Sequence, residues 1–208
     1  MTIPKCIMKI ALLCLLLAAS GCATLSVTDR KELTPAGEKQ AVNLGIQAAG
    51  ERLREVINDP AGSVVKSSAG TLFEKVTILP TETRYQQPAD VLASHGTDYI
   101  LSVGLGDINV MGNLNPIWFA SLPILFFKIY TPIVTFEPTV TLEVTLRDAR
   151  SGAMLIQKQV NESSADHYSP YNPSDKVRSL VALTINNALV SILRESQTKI
   201  AAARQGAR

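Results

Sequence analysis

The sequence predicts an α+β domain of two layers, with amphipathic helices on one face of a largely antiparallel sheet. Three observations predict it. Over residues 139–147, Val140, Leu142, Val144 and Leu146 alternate with Thr139, Thr141, Glu143, Thr145 and Arg147, the period of a strand with one dry and one wet face. The string Asp148-Ala149-Arg150-Ser151-Gly152 then turns the chain, and 154–160 returns as the partner strand. Near the other end of the chain, Val177, Leu180, Val181, Thr184, Ala188, Leu189 and Ile192 recur at helical spacing and form one apolar stripe.

The remaining elements follow in order. Thr34-Pro35 supplies a hydroxyl cap and a proline at the first helical position. Val42, Ile46, Ala49, Leu53 and Val56 then step by four and three, which predicts a helix ended by Asp59-Pro60-Ala61-Gly62. Residues 63–70 are small and polar and read as a loop. A short strand over 76–79 stops at Pro80, and a short helix over 88–93 closes at Gly96. A second strand covers 99–110; its unbroken apolar start, Tyr99-Ile100-Leu101, fits cover on both faces, and Gly104 and Gly106 mark a bulge or bend. Residues 161–173 read as a loop, Ser174 or Asp175 caps the final helix, and the basic, alanine-rich end from Lys199 is expected to fray. The sequence thus divides into a leader over 1–21, a tether over 22–33, one domain over 34–200 and a basic frayed tail over 201–208.

The leader carries the most specific signal in the chain. Lys5 and Lys9 precede an unbroken apolar run from Ile10 to Ala19, too short to span a bilayer and suited to a secretory signal. The run closes on Leu17-Ala18-Ala19-Ser20-Gly21-Cys22. This string resembles the lipobox of bacterial lipoproteins, with Ala19 standing where leucine is usual. The resemblance implies diacylglycerol on the Cys22 sulfur, cleavage before Cys22 and often an acyl chain, such as palmitate, on the new amino group. Each buried methylene of such a chain contributes about 0.8 kcal/mol, so two or three chains hold a protein on a membrane without a spanning helix. Ala23 stands where inner-membrane lipoproteins commonly carry Asp, which by the same resemblance implies the periplasmic side of the outer membrane. Met8-Lys9 offers a second start for the leader.

Composition narrows the function classes. Of 20 basic and 18 acidic residues, only Lys5 and Lys9 leave with the leader, so 18 of each remain, a balance that argues against nucleic acid as a partner. Cys6 and Cys14 leave as well. With the Cys22 sulfur committed to lipid, no disulfide or cysteine-based zinc site is expected, and no cofactor is implied.

Between Asn113 and Phe136 the only charge is Lys128, yet Trp118, Phe119, Phe126, Phe127, Tyr130 and Phe136 gather there in a chain only 5% aromatic. Pro116, Pro123 and Pro132 cut the stretch into pieces too short for a spanning helix. Three readings stand side by side: part of the core, an oligomer or partner interface, or shallow insertion at a membrane surface. Trp118, Phe119, Phe126, Phe127 and Tyr130 are the expected membrane or partner contacts.

Catalytic constellations are absent from the sequence pattern. Ser163-Ser164-Ala165-Asp166-His167 holds the residue types of a hydrolytic triad, but no nucleophile elbow surrounds either serine. His95 beside Gly96 reads as a surface or capping residue, and Asp98 and Asp107 as turn or edge residues. Gly104-Leu105-Gly106 lacks the third glycine of a dinucleotide site.

The order of elements across 34–200 resembles the α/β lipoproteins typified by the TolB amino-terminal domain, CsgG and PelC. The features that carry it are the strand at 76–79 with its helix, the run Gly96-Thr97-Asp98-Tyr99-Ile100-Leu101 entering a strand, the 139–147 strand with its Asp148…Gly152 turn, and the closing helix. No functional residue carries over. The resemblance implies action by assembly with partners, including itself, in place of catalysis. The expected function is therefore that of a non-enzymatic, lipid-anchored accessory or assembly factor of an envelope or secretion machine. The alternative is a periplasmic carrier that takes a lipid or hydrophobic ligand through 113–136.

Overall fold

The chain folds, in a computed structural model that describes residue 31 and residues 38–58, 64–80, 83, 86–114, 134–168 and 173–206, as an α+β domain around one six-stranded sheet. The elements are β1 (Gln40–Ala49), α1 (Glu51–Asn58), α2 (Val64–Leu72), β2 (Phe73–Ile78), α3 (Pro88–His95), β3 (Tyr99–Leu114), β4 (Val134–Asp148), β5 (Met154–Ser163), β6 (Asp166–Tyr168) and α4 (Pro173–Gly206). The sheet order is β2-β1-β3-β4-β5, with β6 also paired to β4. β1 is parallel to β2 and β3; β4 is antiparallel to β3, β5 and β6.

The expected helix through Val42 and Ile46 is instead a strand as far as Ala49, and only Leu53 and Val56 lie on a helix. The spacing of four between Val42 and Ile46 fits both one helical turn and two strand repeats. The structure takes the second, because Leu44 and Ala48 complete a buried row Val42, Leu44, Ile46, Ala48. Gly50, at φ +107°, ends the strand and admits the turn into α1, with Arg54 N–H donating to Gly50 C=O at 3.2 Å. Residues 64–70, expected as loop, belong to α2, whose Ala69 and Leu72 are buried. The segment 161–173, also expected as loop, contributes the end of β5, all of β6 and the first residue of α4. The basic end continues as helix to Gly206, with Ile200 buried.

Strand order explains why one helix departs from the rest. β1 to β2 runs one way across the sheet through α1 and α2; β2 to β3 runs back the other way, past β1, through α3. Parallel crossovers are right-handed, so reversing the direction moves the helix to the opposite face. Leu53 of α1, Leu72 of α2 and Ile185, Leu189 and Ile192 of α4 pack on the face carrying Leu44, Leu101, Val103, Leu142 and Leu146. Val91 of α3 packs with Leu79, Ile100 and Ala149 on the other. Each buried Leu or Ile contributes about 1.5–3 kcal/mol, so the first face dominates stability. On the α3 face β1 needs a glycine: a Cβ on Gly45 would stand 2.8 Å from Leu79 Cδ1 and 2.9 Å from Thr97 Cγ2.

The hairpin and the closing helix match the pattern. Asp148 Oδ1 accepts from the N–H groups of Arg150 at 2.7 Å and Ser151 at 3.0 Å, and Gly152 takes φ +69°. α4 is long and apolar enough to cross a membrane by length and composition, yet its stripe Leu180, Thr184, Ala188, Leu189, Ile192 is buried within the domain. Thr184 and Ser196 settle their hydroxyls inside this helix by donating to Leu180 and Ile192 C=O, each at 2.8 Å.

Candidate membrane or partner surface

Among the described residues, three of the four exposed large apolar side chains, Val110, Met111 and Leu114, lie at one end of β3; the fourth, Met154, starts β5 at the other end of the sheet. β1 pairs with β3 only as far as Ala49 opposite Gly104. β5 pairs with β4 only as far as Ser163 opposite Thr139. Beyond those points β3 and β4 continue as a ribbon, from Val110 opposite Pro138 to Leu114 opposite Val134, edged by β6 against 134–136. A few residues before the ribbon, β3 carries a register shift between Leu105 and Asp107, the bulge or bend expected at Gly106. A Cβ on Gly106 would stand 3.3 Å from Thr141 C=O oxygen, and one on Gly112 3.3 Å from the Phe136 ring, so glycine lets the two strands close over that ring.

Val110, Met111 and Leu114 are 38%, 51% and 62% exposed on this arm. Below it, β3, α1 and the first turns of α4 enclose a groove of about 650 Å³ lined by Glu55, Ile108, Val110, Arg178, Val181 and Ile185. Trp118, Phe119, Phe126, Phe127 and Tyr130 lie outside the described residues, as do Cys22, the leader, most of the tether and the Thr34-Pro35 pair. What the described chain contributes is the arm from which 115–133 leaves and to which it returns.

Lys31 is held against β5 and α4. Its backbone N–H donates to Asn187 Oδ1 at 2.9 Å, and its Nζ donates to Glu162 Oε1 at 2.6 Å and to Ser191 Oγ at 3.4 Å. Asn187 is buried on α4, and Glu162 is near the end of β5. Nearer the end of α4, Glu38 C=O accepts from Gln197 Nε2 at 3.1 Å and Ala41 C=O from Arg204 Nη1 at 3.3 Å. The composition of this segment gave no sign of such a clamp, because its partners are more than 130 residues away.

The opposite end of the sheet is charged. Asp98 accepts from Asn43 N–H at 2.9 Å and from Arg150 Nη2 at 3.3 Å, the turn role expected of it. Tyr99 lies beside these groups. Burial first, and then the Asp148 carboxylate, push its phenol above its ordinary range. The α3 face holds a polar cleft of about 270 Å³ in which Ser102 Oγ donates to Gln47 Oε1 at 2.9 Å and Gln47 Nε2 to Thr83 Oγ1 at 2.8 Å. These groups are satisfied by one another, which suits a structural role.

Ser164 is 4% exposed and its Oγ has no hydrogen-bond partner, while its backbone N–H donates to Pro138 C=O at 3.2 Å. His167 lies on β6 opposite Thr135, and its side chain is outside the described residues. His95 ends α3, where Gly96 takes φ +63° and donates to Leu92 C=O at 2.8 Å. Among the described residues no three His, Cys, Asp or Glu side chains form a group that could hold a metal.

No family model matches the chain, and no curated protein matches it. Among solved structures it is similar to the Xanthomonas campestris protein XCC0632, at 14% identity and TM-score 0.42 over 89% of this chain and 97% of that one. It is also similar to lipoprotein GNA1162 of Neisseria meningitidis, at 13% identity and TM-score 0.37 over 70% and 96%. A third is PelC of Paraburkholderia phytofirmans, solved as a dodecamer, at 11% identity and TM-score 0.40 over 79% and 93%.

Proposed function

We propose that this protein is a non-enzymatic lipoprotein, held on the periplasmic side of the outer membrane by acyl chains on Cys22, that serves an envelope or secretion machine as an accessory or assembly factor. The observation that carries the reading is the string Leu17-Ala18-Ala19-Ser20-Gly21-Cys22 behind a basic start and an apolar run. The arm supports a contact role, because Val110, Met111 and Leu114 stand exposed together at one end of the β3–β4–β6 arm, and exposed apolar side chains brought together mark binding surfaces. Burial of Ser164 argues against that serine as a nucleophile, since a nucleophile must reach its substrate.

Intact-mass measurement of the chain purified from envelopes tests the anchor. The expected species begins at Cys22 and carries hydrocarbon on it, and Cys22→Ser leaves the leader attached. An unmodified Cys22 would sink the reading. Native mass measurement and in-cell cross-linking from Met111 test the assembly role; the expected product joins the arm to a second envelope protein or to another copy.

The groove beside Ile108, Val181 and Ile185 favours a second reading, a carrier of a hydrophobic ligand. Lipid co-purifying with a domain that lacks its own acyl chains would select it.

A further inference from the structure

We infer that the Lys31 clamp shortens the lipid tether so that the apolar tip of the β3–β4 arm, Val110, Met111 and Leu114, rests on the same phospholipid surface that holds the acyl chains. The inference builds on the Cys22 anchor proposed above, and two observations carry it. The first is reach. Lys31 lies nine positions after Cys22, a span of at most about 30 Å when fully extended. Glu162, which holds Lys31, is level with Val140 and through it with Ile108. Leu114 is six residues further along β3, about 20 Å at strand rise. The tip therefore comes within the length of the tether. The opposite end, where Tyr99 faces Asp148, is nine residues the other way, about 30 Å, and would need the tether at full stretch.

The second is chemistry. The arm end presents exposed Val110, Met111 and Leu114, whereas among the described residues the far end has one exposed large apolar side chain, Met154, beside Asp98, Asp148, Arg150 and Arg204. Apolar side chains gain from entering the headgroup boundary, and carboxylates do not.

The expected contact can be read with one thiol. With Cys22 acylated and Cys6 and Cys14 removed, Met111→Cys supplies the only free sulfhydryl of the mature lipoprotein, and Ser151→Cys on the β4–β5 turn supplies the control. Each is labelled with an environment-sensitive fluorophore and reconstituted, with its own acyl chains, into phosphatidylethanolamine–phosphatidylglycerol vesicles containing doxyl lipid. Quenching at Met111→Cys is expected to exceed that at Ser151→Cys by at least about twofold, with a blue-shifted emission at the first site. Lys31→Glu, which faces Glu162 with a second carboxylate, is expected to narrow that ratio while the protein stays on the vesicles. Equal quenching at both sites, on protein whose mass includes the acyl chains, would overturn the inference and leave the anchor intact. So would an unchanged ratio in Lys31→Glu. A blue shift at Met111→Cys that depends on protein concentration and ignores doxyl lipid would give the tip to a second copy of the chain, and overturn it too. Protein that takes two labels, one of them on Cys22, would instead overturn the anchor on which the inference stands.

Discussion

The two halves of β3 carry similar apolar residues and end in opposite surroundings. Leu101 and Val103 are sealed between β1, β4 and the α4 layer, whereas Val110, Met111 and Leu114 stand exposed on the arm. The change comes where β1 stops: its last pair is Ala49 with Gly104, and Gly50 turns the chain aside. Hydropathy along a strand therefore does not fix burial; the neighbours that arrive from elsewhere in the chain do. Residues of the kind that make a core at one level of the sheet stand exposed a few rungs higher.

Mutations can break that contrast. The largest effect is expected in the sealed half: Leu101→Ala should lose about 2–5 kcal/mol of stability in urea unfolding, because the packed layer cannot collapse into the space left. Gly45→Ala, which drives a methyl against Leu79 and Thr97, should cost about 1–3 kcal/mol in the same measurement. On the arm, Met111→Ser should change stability by no more than about 0.5 kcal/mol while weakening whatever contact the arm makes, read as reduced cross-linking or vesicle quenching. A loss at Met111 as large as that at Leu101 would mean that the arm belongs to the core.

Tyr99 sharpens the contrast from the charged end. Its phenol is raised in the fold, so the unfolded chain releases that proton first as pH climbs. The Tyr99 contribution is complete below the ordinary tyrosine range, near pH 10, and is lost as pH rises from there toward the folded value. Melting curves from neutral to strongly alkaline pH should show Tyr99→Phe declining less steeply than the parent protein. Lys31→Ala should likewise have a small effect, moving global stability by no more than about 1 kcal/mol, since the Lys31 side chain is 45% exposed and its ion pair is solvent-screened.

Some elements were legible in the sequence because one local signal determined them. Four apolar residues at strict alternation and an Asp…Gly turn leave β4 and its return to β5 no other reading, and the stripe from Leu180 to Ile192 fits only a helix. β1 was misread because its apolar spacing satisfies two periods at once, and the length of an uninterrupted pattern favoured the wrong one. α2 was missed because Ser67, Ser68 and Gly70 are poor helix formers, held helical by the burial of Ala69 and Leu72. The candidate surface was not legible: the aromatic residues expected to form it lie outside the described residues, and exposure of Val110, Met111 and Leu114 depended on where β1 and β5 stop.

By itself the sequence determined an α+β chain, its central hairpin and its closing helix, since each of these is written in spacing over a few residues. Only the tertiary structure decided that α3 takes the second face, that β1 lies parallel between β2 and β3, and that Lys31 is held by β5 and α4. Crossover handedness and hydrogen bonds between distant residues set those outcomes, and neither leaves a periodic trace in the segment that it governs.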